Sequence, residues 1–251
     1  MKLGLVSDIH GNLPALLAVV AAAPEVDGWL NLGDIVSGPL WPAETAQWLM
    51  EQNWPTIAGN HERQVLADNL QHMGATDRYA LERLNAEQRR WLAALPAHMQ
   101  PTPGVLCVHG TPETDLVYLM ETVTPEGRRA ASEAEIEARL GSALPAGTEV
   151  LLCGHSHVPR CLRLGSLWVV NPGSVGLQAF EHDWPHPHTV ANGSPVARYA
   201  VLSRHGVDWN VALRTVAYEH ERAAAKAQEA GFADWAHALR TGLPLQGQVS
   251  P

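Results

Sequence analysis

Seven side chains of a kind that binds metal ions sit where short apolar segments of this 251-residue chain end: Asp8 and His10, Asp34, Asn60, His109, and His155 and His157. The donors are carboxylates, imidazoles and one amide, with no cysteine among them. Such a hard-to-borderline set suits Mn, Fe or Zn rather than a structural thiolate zinc site. Seven donors are too many for one ion, whereas two divalent ions sharing Asp34 as a bridge would use them all. Two ions about 3.5 to 4 Å apart can hold phosphate oxygens, and a bridging water acidified by both can attack phosphorus in line. No protein nucleophile is needed.

The segments that must position these donors have the pattern of an α/β protein. Leu3, Leu5 and Val6 predict a strand that ends at Ser7 and Asp8; Asn12 can cap a helix through Ala23, with Pro14 in its first turn and Pro24 closing it. A strand over 29–32 ends at Gly33-Asp34 before a helix over 43–50, and a strand over 56–58 ends at Gly59-Asn60-His61 before another helix. Segment 77–95 carries Leu81, Leu84, Trp91, Leu92 and Leu95 at helical spacing and predicts one amphipathic helix with a solvated face. Strands over 105–108, 149–153 and 167–170 end at His109-Gly110, at Gly154-His155-Ser156-His157 and at Asn171-Pro172-Gly173-Ser174. Segments 198–202 and 207–215 around His205-Gly206 predict an antiparallel hairpin, and with it two sheets rather than one. Segment 178–194 has no apolar period and is expected to be a loop or lid. The Ala-rich stretch 218–240 is expected to be helical and 246–251 a frayed tail, all within one domain spanning 1–251.

Taken in order, Asp8-Ile9-His10, Gly33-Asp34, Gly59-Asn60-His61-Glu62, His109-Gly110 and Gly154-His155-Ser156-His157 resemble the signature of the calcineurin-like metallophosphoesterases, over residues 3 to about 213. The likeness is to the small bacterial phosphodiesterase-type members. It implies a four-layer α/β/β/α sandwich, two mixed sheets flanked by helices, with a dinuclear centre where their loops meet. Residue by residue, it implies one metal on Asp8, His10, Asp34 and His157, and a second on Asp34, Asn60, His109 and His155. His61 matches the family's non-ligand catalytic histidine, which contacts the phosphate or protonates the leaving oxygen. Asn12 and Glu62 are expected to hold ligands in place or to cap helices rather than to bind metal. Asn171-Pro172-Gly173-Ser174 resembles a segment that lies close to the metals in the small bacterial members.

One departure bears on the substrate. Diadenosine tetraphosphatases and serine/threonine phosphatases of the superfamily carry an Arg shortly after the second Asp motif; here that stretch is Gly33-Asp34-Ile35-Val36-Ser37-Gly38-Pro39, without one. A missing guanidinium fork weakens recognition of a terminal dianionic phosphate more than of a monoanionic diester. The expected reaction is therefore hydrolysis of a small cyclic nucleotide or nucleotide-derived phosphodiester. The alternatives are a phosphomonoesterase or protein phosphatase on the same site and, more remotely, a non-catalytic scaffold, which would be expected to have lost ligands or His61. Arg63 and Arg160, the cations nearest the motifs, and His182, in the 178–194 segment with His186 and His188, are the candidate substrate contacts.

With 17 Lys and Arg against 26 Asp and Glu, the formal net charge is -9, the wrong sign for gripping nucleic acid through the surface field. No stable nucleic-acid complex is expected; the partner is a small phosphoester. Cys107, Cys153 and Cys161 are an odd count without a paired framework, as suits packing residues in a reducing compartment. The start lacks the features of a signal peptide, and the longest apolar run, 13–23, is far short of the roughly 20 residues that span a bilayer. A cytoplasmic protein with no membrane partner is expected. The nine Trp suit cores or an interface equally, which leaves the oligomeric state open.

Overall fold

Along β1 (Lys2–Val6) successive side chains point to opposite faces, and both Leu5 and Val6 are fully buried, so this strand is covered on two sides. The computed structural model describes residues 1–67, 71, 73–142 and 144–245. In it β1 lies between β2 (Gly28–Asn31), parallel to it, and the long β12 (Ala197–His205), antiparallel to it; β13 (Asp208–Val216) completes a four-stranded sheet in the order β13-β12-β1-β2. The second sheet contains β3 (His98–Thr102), β4 (Val105–Val108), β7 (Val150–Leu152), β8 (Arg160–Leu164) and β9 (Leu167–Asn171), in the order β3-β4-β7-β9-β8. Its three central strands are parallel and its two edge strands antiparallel.

The two sheets pack face to face over Leu5, Leu30, Val105, Cys107, Leu152 and Leu202. On the far side of the first sheet, Val6, Trp29 and Val201 meet α1 (Leu13–Ala22), α2 (Pro42–Gln52) and α5 (Ala86–Ala93); on the far side of the second, Leu106, Leu151 and Val169 meet α6 (Glu133–Leu140). The result is the expected α/β/β/α sandwich of two mixed sheets. Each fully buried Leu or Val in these layers contributes about 1.5–3 kcal/mol of burial. Two hairpins, β5 (Glu121–Thr124) with β6 (Gly127–Ala130) and β10 (Ala179–His182) with β11 (His188–Ala191), stand apart from the sheets. Four further helices, α3 (Asn60–Val65), α4 (Ala75–Arg83), α7 (His220–Glu229) and α8 (Ala233–Thr241), complete the described elements.

Several expectations are corrected. The helix over 77–95 is two helices, because Leu84 is extended and the Asn85 side chain accepts hydrogen bonds from the Glu87 and Gln88 amides at 2.9 Å, starting α5 afresh. Segment 178–194 is mainly the β10–β11 hairpin rather than a loop, with Phe180 opposite Val190 and His182 opposite His188. Segment 56–58 makes a single bridge, Thr56 to Asn31, instead of a strand. The helix over 218–240 is broken at Gly231, whose φ of 89° is left-handed. Strands β3, β5, β6 and β8 were not anticipated, and the tail 246–251 lies outside the described residues. Among the described residues no helix is long and apolar enough to cross a membrane.

Candidate metal centre

Asp8, His10, Asp34, His155 and His157 all have φ between 51° and 67°, a left-handed conformation that costs an L-residue about 1–2 kcal/mol. Of the described non-glycine residues, only Asn53 shares it outside this group. Backbone hydrogen bonds between loops hold the strain: the Asp8 amide donates to Gly33 O at 3.0 Å, the His10 amide to Asp34 O at 3.0 Å, and the Gly176 amide to Asp8 O at 3.0 Å. Strained backbone of this kind persists where the surroundings over-determine it, and it points the side chains of separate strand ends at one place. Gly59 is required there, since a Cβ on it would overlap Asp34 Oδ1 and lie 2.8 Å from His109 Cε1.

The donors form two groups. In one, His157 Nε2 is 3.0 Å from His10 Nε2 and 3.4 Å from Asp8 Oδ1; in the other, His109 Nε2 is 3.1 Å from Asp34 Oδ2, with His155 alongside. The two groups adjoin, since His109 Nε2 is 4.0 Å from Asp8 Oδ1. The Nδ1 of His10, His109 and His157 donates to Ser37 O, Leu32 O and Leu177 O at 2.7, 2.7 and 2.8 Å. In a neutral ring such a bond leaves the Nε2 lone pair directed away from the carbonyl and free to bind a cation. Two such lone pairs 3.0 Å apart, on His10 and His157, repel unless a proton or a cation lies between them.

Three donor atoms, Asp8 Oδ2, Asn60 Oδ1 and His109 Nε2, are buried without a hydrogen-bond partner. A buried unsatisfied polar atom costs about 1–3 kcal/mol, and three at one place call for an occupant. Burial raises the Asp8 carboxyl, but His157 and His109 outweigh it and lower it; burial likewise raises Asp34, which His109 and His61 hold well below the usual carboxylate range. Burial and His157 bring His10 down to about 4, and burial and His109 bring His155 down to about 3. His109 goes the other way: burial lowers it, but Asp34 and Asp8 raise it to about 10. The anions, the neutral imidazoles and the orphaned donors fit divalent cations.

His61 stands beside this centre. Its amide donates to Asp34 Oδ1 at 3.0 Å, its ring lies edge-on to His10 with centroids 5.4 Å apart, and its Nδ1 donates to Asp77 Oδ1 at 2.8 Å. Burial lowers it, but the Asp34 charge and the Asp77 bond raise it to about 9. Asp77, in the first turn of α4, is 4% exposed, and no sequence spacing marks its pairing with His61. Glu62 holds the ligand loops, its Oε2 accepting from the Asp34 and Gly59 amides at 2.8 Å each and its Oε1 from the Ile35 amide at 2.7 Å. Asn12 caps α1 through the Ala15 amide and donates to Gly176 O at 2.9 Å. Asn171 and Ser174 brace the ligand loops as well, through Gly154 O at 2.7 Å and Asp8 O at 2.8 Å.

A cleft of about 340 Å³ opens over the centre, lined by His10, Asp34, Asn60, His61, His155 and His157. His182 lines it too, from the end of β10. Arg63 and Arg160 do not. The Arg63 fork is paired with the Asp115 carboxylate at 2.7 and 3.1 Å, and the Arg160 fork with the carbonyls of Met120 and Ala131. The His188 ring accepts from Tyr118 OH at 3.1 Å under the hairpin and does not line the cleft. The sequence also did not single out Tyr118, Phe180 or Trp235, whose rings stack edge-on or tilted against His155, His157 and His10.

A sequence model of the calcineurin-like phosphoesterase superfamily domain matches residues 1–190. A metallophosphoesterase from Sphaerobacter thermophilus has a similar structure, with a TM-score of 0.76 at 25% identity over 96% of this chain and 99% of that one. A hypothetical protein from Pyrococcus horikoshii OT3 shares the fold, with a TM-score of 0.73 at 20% identity over 96% and 98% of the two chains. No curated protein matches. With five motifs in order, the donors of two adjoining groups in contact and three-quarters of its length matched, the chain belongs to the calcineurin-like phosphoesterase superfamily.

Proposed function

We propose that the protein is a dinuclear metal-dependent phosphodiesterase. Asp8, His10, Asp34 and His157 hold one divalent ion, Asp34, Asn60, His109 and His155 hold the other, and His61 is the catalytic histidine. The observation that carries the proposal is the pair of adjoining donor groups, Asp8-His10-His157 and Asp34-His109-His155, whose buried Asp8 Oδ2 has no hydrogen-bond partner. When bound, Mn, Fe or Zn ions supply Lewis acidity to the phosphoryl group and an activated water.

The chain's own residues supply the rest. Asp77 accepts from His61 Nδ1, which leaves Nε2 to give its proton to the leaving oxygen of an ester. Glu62 fixes the loops that carry Asp34 and Gly59, so the carboxylate does not have to be ordered during the reaction. No Arg lies in the stretch 33–39 around Asp34, and the forks of Arg63 and Arg160 are paired elsewhere, which favours a diester monoanion over a terminal phosphate dianion. The free thiols Cys107, Cys153 and Cys161 suit a reducing, cytoplasmic setting.

The test compares bis-p-nitrophenyl phosphate with p-nitrophenyl phosphate on one preparation, first chelated and then reconstituted with Mn. Activity that vanishes on chelation and returns with a diester preference supports the proposal. A monoester preference replaces it with a phosphatase, and no hydrolysis at full metal loading with a scaffold.

A further inference from the structure

Beyond the donor groups, the cleft is walled by rings from separate parts of the chain. Phe180 in β10 has its centroid 4.7 Å from that of His157; Trp235 in α8 lies 5.9 Å from His10, edge-on; Trp184, in the turn between β10 and β11, is 51% exposed. The Trp184 amide donates to His182 Nδ1 at 3.0 Å, which holds that turn at the cleft margin. Phe180 and Trp235 also pack together on Leu177, Ala179 and Ala238, so the wall has a rigid backing. Trp235 lies beyond the residues 1–190 that the superfamily model matches, whereas Phe180 and Trp184 lie within them and outside the five donor motifs.

The charges of the same lining point the same way. Arg139 is the guanidinium that lines the cleft among the described residues, and its nitrogens are spent on Leu119 O and Glu121 O at 3.0 Å and on Thr122 Oγ1 at 2.6 Å. Glu121 and Glu181 line it as well. Glu121 is buried and paired with Arg128, so a polyphosphate tail would meet the Glu181 carboxylate and no open fork there, whereas a flat apolar ring would meet faces and edges of aromatic side chains.

Resting on the reading of the centre as a phosphoesterase site, we infer that Phe180, Trp184 and Trp235 form a subsite for a planar aromatic ring on the substrate's ester group. They are specificity-determining residues that select aryl or nucleobase-bearing phosphoesters over aliphatic ones and over polyphosphates. The phosphoryl group lies over the donors while the ring stacks between the hairpin and α8. Stacking on aromatic side chains is tolerant of ring type, so the subsite recognises planarity rather than a hydrogen-bond pattern.

The experiment is calorimetric titration of the Mn-loaded protein with phosphonates, which are not turned over. Phenylphosphonate is compared with methylphosphonate, and 2-(adenin-9-yl)ethylphosphonate with ethylphosphonate. The expected result is a ring-bearing ligand that binds about tenfold tighter than its aliphatic counterpart. That advantage should be lost in Trp235→Ala and reduced in Phe180→Leu, the second variant guarding against misfolding of the first. An advantage in both pairs, or in the phenyl pair alone, supports the subsite and says whether a nucleobase fits it. Equal affinity within both pairs, no binding of any of the four, or an advantage untouched in both variants overturns it. Because the comparison involves no hydrolysis, it is independent of the p-nitrophenyl test: a monoester preference there removes the diesterase reading and leaves the ring preference to stand or fall by itself.

Discussion

His61 Nδ1 donates to Asp77 Oδ1 at 2.8 Å, joining the residue next to Asn60 to the first turn of a helix that begins 14 residues further on, at Ala75. Asp77 is 4% exposed, and its partner is the one imidazole of the centre tied to a carboxylate outside the donor groups. If the pair orients a proton donor, Asp77→Asn keeps the shape and removes the charge. The expected outcome is a kcat lowered about 10- to 100-fold with the metal content unchanged. His61→Ala is expected to cost about two to four orders of magnitude, again with metal retained. The double variant should be no slower than His61→Ala alone, because the two act as one unit. Kinetics on bis-p-nitrophenyl phosphate beside elemental analysis check this, and a His61→Ala protein that has lost its metal would show that His61 is a ligand.

Asp34 lies 3.1 Å from His109 Nε2 and accepts from the His61 amide at 3.0 Å. Asp34→Asn is expected to lower the bound metal at both positions and nearly abolish turnover. Metal stoichiometry after dialysis is the measurement; loss of one ion alone would mean that Asp34 does not bridge.

Glu62 satisfies three buried amides with two oxygens, a load an amide side chain cannot carry in the same way. Glu62→Gln turns one acceptor into a donor facing an N–H. The expected cost is about 1–3 kcal/mol, seen as a melting temperature lower by several degrees in circular dichroism. An unchanged melting temperature would mean that the loops are held without it.

Chelation should destabilise the fold as well as the reaction. Asp8 Oδ2 and Asn60 Oδ1 are buried without a hydrogen-bond partner, and ions that bind the native state alone stabilise it by about 2.7 kcal/mol at a hundred times their dissociation constant. A thermal melt with EDTA should fall below one with Mn, and the gap should shrink in Asp34→Asn. Superimposable melts with and without metal would argue against the ions.

Asp8, His10, Asp34, His109, His155 and His157 stand out in the sequence as candidate donors because each follows a short apolar strand and has a side chain whose chemistry is independent of the fold, whereas Asn60 follows a segment that makes only a single bridge. The strand over 105–108, the helix cap at Asn12 and the C-terminal hairpin were legible for a related reason: periodicity, cap residues and turns act over a few neighbouring positions. What distance along the chain hides, the tertiary structure decided. Asp77 became the partner of His61, Arg63 and Arg160 were spent on Asp115 and on backbone carbonyls, and Trp235, 225 residues from His10, came to stand edge-on to it. The His- and Pro-rich hairpin over 179–191 was hidden too, since its strands are ordered by pairing with each other and not by an apolar period of their own. Local sequence marks the candidate donors; packing between distant elements decided what surrounds them.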